Sequence, residues 1–559
     1  MTGVLWLALA EISLRDRVRT GICMKRESHN AARSLSIGAD AVLPLVAGKF
    51  QTGGEAIAGE DPNQRHFDTA HLTGNLKSRM LSSGFITTSA QGVQFVLNLA
   101  AMMVLARLLT PADFGLVAMV TVVTSFLRVF RDVGLSTATV QREGITHAQV
   151  SNLFWTNVAV SGLIMVILAA ASPAIASFYR EPRLVTITLA VSVTFLLTGL
   201  VVQHQALLNR QMRFKALAVI DIVSMVASMA VAIGMAWFGC GYWSLVGMSV
   251  SAALVRCAMV WMISIWRPQF PKRRSGTRSL LGFGASLTAS GFIYSIARGT
   301  DSLLLGRFFG ADSVGFYTRA GVLLLRPLEQ LLGPMSAVFL PVLSRLQTQP
   351  YRYRLTFLQM FEVAALASFV GSGMLLPLAK PITLVVLGSQ WEQTANIVTA
   401  FAFVALFLPL SSVSTWLFNS QGRGRDSLRT SVASSVITAA AFVAGLPFGP
   451  VGVALAFAVS GLLVQMPILF FIAGRSGPVS TADLWQAFFR HLPIWGVACG
   501  ATFLAHALVL RLGPVTQLIV CGPVGLIGVA GFIWIHAPTR RVALSLLSMI
   551  QQLKAGRLG

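Results

Sequence analysis

From Gly84 to His536 the chain passes through fourteen apolar stretches of about 20 residues, the first near 84–106 and the last near 515–536, with only short loops between them. Each stretch is long enough to cross the hydrocarbon core of a bilayer as a helix, where a segment must satisfy its own backbone hydrogen bonds. Composition agrees: 55% of the 559 residues are hydrophobic and only 11% are charged, with a mean hydropathy of +0.72. A water-soluble domain needs far more charge on its surface. The expected class is all-α, a polytopic membrane protein with about fourteen transmembrane helices.

Charge sets the orientation. Lys and Arg total 43 against 20 acids, a net +23. The excess gathers in alternate loops (REGITH, NRQMRFK, RPQFPKRRSGTR, SRLQTQPYRYR, GRGRDSLR) and in the tail at Arg540, Arg541, Lys554 and Arg557. The intervening loops are nearly uncharged, YREPR at 179–183 being the main exception. The positive-inside rule then places both termini in the cytoplasm. No soluble basic domain is present, so nucleic acid is not an expected partner. Five scattered cysteines without a CxxC pair and eight histidines without HExxH spacing give no metal site. Neither metal nor cofactor is expected.

Residues 1–79 are mixed and polar. Two readings stand: a disordered cytoplasmic extension, or a true start further in, near Met80. Beyond it the expected order is a first lobe over 80–266, a basic linker over 267–278, a second lobe over 279–474, two extra spans over 475–538, and a cytoplasmic tail over 539–559.

Two lobes are expected because one segment recurs. ARLLTPADFGLVAM at 106–119 aligns without a gap on GRFFGADSVGFYTR at 306–319, and Gly84 and Thr88 fall on Gly284 and Thr288. In each copy a basic residue, Arg107 or Arg307, closes one helix, and a glycine, Gly115 or Gly315, opens the next. The simplest role for these four is a structural corner, with the arginines anchoring helix ends at the outer interface. Both copies start from the same membrane face. That makes two six-helix lobes related as parallel repeats, an arrangement suited to a V-shaped, alternating-access transporter.

ARLLTPADFGLVAM, FRDVGLSTATVQRE at 130–143, FYREPRL at 178–184 and ARGTDSLLLGRFFGADSVGFYTRA at 297–320 together resemble the polysaccharide branch of the multidrug/oligosaccharidyl-lipid/polysaccharide exporter superfamily. The resemblance runs from about Ser78 to about Arg475; the long N-terminal segment is outside its pattern. It implies flipping of an undecaprenyl-diphosphate-linked oligosaccharide across the bacterial inner membrane for exopolysaccharide, capsule or O-antigen synthesis. Membrane lipids, and with them a polysaccharide polymerase and a chain-length regulator, would be its partners.

Ionisable residues inside spans are costly and mark candidate sites. Span two carries Arg128, Arg131 and Asp132, with Arg128 and Asp132 spaced to pair on one helix face. Span seven carries Arg298 and Asp301, one turn apart. Span eight carries Arg319 near its outer end and Arg326 and Glu329 near mid-depth, beside Pro327 and Pro334, which are expected to break the helix. Asp221, Arg256 and Glu362 look isolated. The arginines Arg298, Arg326, Arg128 and Arg256 are candidate binders of the diphosphate and sugars, since guanidinium stays charged and grips phosphate with paired bonds. Asp301, Glu329, Asp132, Asp221 and Glu362 are candidate coupling or orienting acids. Internal neutralisation and anchoring at the headgroups remain the bland readings.

Three rivals stand beside this one. A membrane polymerase or ligase would need chemistry in its outer loops, which are short and poor in it, so no enzyme is expected. A drug–cation antiporter would show acids rather than arginines in its cavity. A lipid II flippase shares the diphosphate head and the architecture, and spans thirteen and fourteen keep it open.

Overall fold

The computed structural model describes residues 76–132, 136, 139–140, 145–271 and 278–544. The N-terminal extension, the middle of the basic linker and the end of the tail lie outside the described residues, as do the side chains of Asp132 and Arg298. The described residues form helices and no strand. The first lobe contains α1 (Leu76–Leu108), α2 (Pro111–Asp132), α3 (His147–Tyr179), α4 (Leu184–Arg210), α5 (Phe214–Trp237) and α6 (Trp243–Ile263).

One helical run, Arg278–Arg345, begins the second lobe. Its only non-helical residue is Gly310 (φ 78°), a conformation that glycine adopts without a Cβ clash. The chain reverses there. Gly306 and Gly299, before the break, lie against Met119 and against Val122 and Phe126 of α2, so this arm is antiparallel to α2. Gly315 and Arg319, after it, lie against Pro111 and Phe114, so the second arm is parallel to α2. The arms are α7 (278–309) and α8 (311–345). Pro327 and Pro334 do not break the helix as their sequence suggested. A proline forfeits one hydrogen bond but keeps a helix-compatible φ, and packing carries the rest.

The lobe continues with α9 (Pro350–Val386), α10 (Glu392–Ser420), α11 (Gly424–Gly445) and α12 (449–474, with a π turn at Gly461–Gln465). Two more helices follow, α13 (Thr481–Leu508) and α14 (Pro514–Ile535). Eleven stretches among the described residues are long and apolar enough to cross a membrane, and one of them, 424–474, contains both α11 and α12. Together with the two arms that meet at Gly310, the described helices make fourteen rods. In α10, 72% of the apolar window is buried, which makes it the pillar of the second lobe.

The ends of α4 and α10 repeat each other in a way the sequence reading overlooked. Leu207-Leu208-Asn209-Arg210-Gln211-Met212-Arg213 matches Leu417-Phe418-Asn419-Ser420-Gln421-Gly422-Arg423. Arg213 N donates to Leu208 O at 2.9 Å, and Arg423 N to Phe418 O at 2.9 Å. The turn residue is left-handed in both copies, Met212 at φ 55° and Gly422 at φ 69°. Arg423 then donates to the carbonyls of Ile472, Ala473 and Ser476 and pairs with Asp426, tying α10, α11 and α12 at the basic end. Met212 sits where a side chain costs roughly 1–2 kcal/mol. Met212→Gly should therefore raise the melting temperature of the purified protein, the gain being about 0.5–1 kcal/mol once glycine's extra unfolded-state entropy is subtracted. A lower melting temperature would show that the turn is not strained.

α13 and α14 attach to the second lobe through α9. Ser480 and Asp483 form a reciprocal capping box at the start of α13. The same Asp483 carboxylate receives two bonds from Arg354, at 2.9 and 2.6 Å. Deeper, Gly373 of α9 lets the α13 backbone approach at Trp495, and Arg490 donates to Glu362 at 2.6 Å.

Candidate functional site

The most intimate contact between the lobes lies on α2 and α8. A methyl group added at Gly115 would overlap the Ala311 carbonyl, and one added at Gly315 would overlap the Pro111 carbonyl. Positions 111 and 311, like 115 and 315, are equivalent in the repeat. The two copies therefore meet crosswise, each glycine seated on the other copy's backbone. These contacts are at the end of the bundle where the loops carry little charge.

Moving along α2 toward the basic end, Gly299 still packs on Phe126 and Val122. One turn further Arg128 is exposed, and so is Arg326 on α8. The two guanidinium groups, one from each lobe, are near enough for their charges to repel. Among the described residues neither joins an ion pair. Glu329 follows Arg326 by three residues and is half-buried. Arg319 lies two turns from Arg326 on the same face of α8, near enough to feel its charge. Its guanidinium stands 4.7 Å from the centre of the Phe114 ring, and its buried Nε has no hydrogen-bond partner. Like charges held near one another bind an anion well, because its arrival offsets their mutual repulsion.

The remaining candidates are placed as follows. Asp301 receives the Ser302 backbone N–H at 2.5 Å and lies against the buried Tyr317 hydroxyl, so it ties α7 to α8. Whether it also meets Arg298 falls outside the described side chains, as does the expected Arg128–Asp132 pair. Three residues expected to be isolated are not. Arg256 pairs with Asp221 at 2.9 Å, joining α6 to α5. Glu362 pairs with Arg490, and His491 Nε2 stands 4.0 Å from it. A charge at membrane depth is costly alone, and here each has a partner on the neighbouring helix.

The corner arginines each reach the other lobe. Arg107 donates to the Val385 carbonyl of the other lobe at 2.9 Å, and Arg307 lies 5.9 Å from the Phe178 ring of the first lobe. Each ends its helix against the opposite lobe. In the charged loop between α3 and α4, Arg183 grips Glu181 with bonds of 2.8 and 2.9 Å, and this grip holds the Glu181 carboxyl below its ordinary range.

Two six-helix lobes, packed on each other through α2, α7 and α8, define a polytopic membrane transport fold. The chain belongs to the polysaccharide biosynthesis protein family, whose model matches residues 104–396. It is 24% identical over 434 residues to the lipopolysaccharide biosynthesis protein WzxC of Escherichia coli, covering 75% of this chain and 87% of that one. It is 27% identical over 308 residues to the teichuronic acid biosynthesis protein TuaB of Bacillus subtilis, covering 54% of this chain and 62% of TuaB. Among solved structures, the lipid II flippase MurJ in an inward closed conformation matches with a TM-score of 0.64 at 14% identity, over 80% of this chain and 98% of MurJ. An inward-facing multidrug transporter of the MATE family matches with a TM-score of 0.53 at 16% identity, over 70% and 96%. At these identities the structural matches establish the fold alone.

Proposed function

We propose that this protein carries a lipid-linked oligosaccharide, attached through a diphosphate such as undecaprenyl diphosphate, from the cytoplasmic to the outer leaflet of a bacterial inner membrane. The observation that carries this reading is a pair of exposed arginines, Arg128 on α2 of the first lobe and Arg326 on α8 of the second, neither joined in an ion pair among the described residues. A diphosphate has about two negative charges and offers oxygens to paired guanidinium donors. The sugars would occupy the water-filled cleft while the polyprenyl tail stays in lipid. Family membership and the names of WzxC and TuaB support the substrate class.

In this proposal the basic end faces the cytoplasm, both termini included. The conformation described here is then shut toward the outside. Arg319 forms the deeper wall of the anion site, and Arg298 on α7 is a further candidate for it. Asp301 and Glu329 orient the arginines or take a coupling cation. Asp221, Arg256 and Glu362 have structural partners in this conformation and rank below them. A polysaccharide polymerase and a chain-length regulator would act on the delivered unit.

Deleting the gene should leave complete lipid-linked repeat units accumulating on the cytoplasmic leaflet, read by extracting lipids and testing access to an externally added glycosidase. Truncated sugars would point to an enzyme of assembly. Accumulation of the peptidoglycan precursor would point to a lipid II flippase.

A further inference from the structure

The shut end of the cleft is built from two related halves with different chemistry. In one half the first lobe's α1 ends beneath the α9–α10 turn of the second. Trp391 Nε1 donates to the Ala106 carbonyl at 2.7 Å. The Gln390 amide donates to the same carbonyl and to that of Leu109. Arg107 donates in the opposite direction, to Val385. Trp391 is fully buried, with Phe114 and Phe316 edge-on to it at 5.4 and 6.0 Å. The last carbonyls of a helix have no partner within it, and here the other lobe supplies the donors.

In the repeat-related half, α7 ends against the α3–α4 turn. Tyr179 takes the place of Trp391, with its ring edge on Gly306. Its hydroxyl is buried and finds no hydrogen-bond partner. Arg307 touches only rings, those of Phe178 and Phe308. One half of the closure is thus saturated with directed hydrogen bonds. The other is an apolar contact with an orphaned polar atom, which is a cost of staying shut.

We infer that Arg107, Gln390 and Trp391 form the latch that holds the outer exit closed, and that the Tyr179 half contributes little to closure and favours release. Directed bonds fail once donor and acceptor separate beyond about 3.5 Å, so a small rotation of the lobes breaks the whole latch together. On release, Ala106, Leu109, Gln390 and Trp391 meet water, so the open state leaves none of them unsatisfied. This inference rests on the orientation proposed above and holds whatever the cargo.

The test uses a buried reporter, Ala106→Cys, in a chain whose native cysteines are replaced by serine or alanine, in spheroplasts or proteoliposomes. A membrane-impermeant maleimide is added from the outer side. The double variant Gln390→Ala with Trp391→Phe keeps the shape of the closure and removes its donors. It should raise the labelling rate at least tenfold. Tyr179→Phe removes only the orphaned hydroxyl and should leave labelling unchanged or slower. Size-exclusion profiles and melting temperatures of the solubilised variants separate opening from unfolding. Wild-type labelling in a folded double variant would overturn the inference. So would a Tyr179→Phe variant that exposes the reporter as strongly as the double variant does.

Discussion

Replacing both Arg128 and Arg326 with glutamine should lower polymer export about 100-fold or more at unchanged protein level, with either single change costing about tenfold. Each arginine is proposed to give charge-assisted bonds to phosphate, worth about 1.5–3 kcal/mol apiece, and glutamine keeps length and polarity without charge. The hundredfold figure is what independent effects would give, and a departure from it in the double variant measures the coupling between two sites that share one proposed ligand. Lysine at either position should restore activity only in part, because an ammonium lacks the planar fork. The measurement is the amount of exported polymer set against lipid-linked intermediate in the same cells. Export at the wild-type level from the double variant would remove the pair from the mechanism and leave the positive cleft without a role in binding.

The second large effect belongs to the glycines. Gly115→Ala, or Gly315→Ala, introduces one methyl group where the opposing atom is a backbone carbonyl oxygen. A flexible side chain could swing away, but a carbonyl locked in a helix cannot. The lobes must part at this sparsely charged end, and every contact around them, including the Trp391 bond to Ala106, is strained with them. Export should fall at least tenfold, while the Ala106→Cys reporter becomes open to reagent from outside. The individual lobes should still fold, because the clash is between them and not within either. A Gly115→Ala protein that exports normally and stays shut would mean that the crosswise contact is not part of the transport cycle.

Much of this architecture was legible in the sequence because a bilayer reads hydropathy almost directly. The apolar runs and the loop charges each report one simple preference, and the ungapped match around Gly115 and Gly315 exposed the two lobes. What was missed has a common cause. Glu362 and Arg490 are 128 positions apart, and Arg256 and Asp221 belong to different helices, so a one-dimensional scan sees lone charges where the fold makes pairs. Pro327 and Pro334 looked like breaks because proline is a breaker in water, while the bend falls at Gly310, where the chain turns at positive φ. The inner repeat around Met212 and Gly422 escaped notice because its offset differs from that of the outer corner. The partners of the corner arginines, Val385 and Phe178, come from the other lobe and so are invisible in the local sequence.

The crosswise seating of Gly115 and Gly315 also bears on ancestry. If the lobes descend from a duplicated half, each copy has since been judged by how it fits its twin. A larger residue at 115 meets the backbone of 311, and one at 315 the backbone of 111, so no change of side chain in the twin can make room. Drift at these two positions is therefore answerable to the other half, across about 200 residues of chain. Across relatives, glycine should persist at 115 and at 315 even where the surrounding spans have diverged freely. Two halves expressed as separate polypeptides should still find each other in the membrane through this seam.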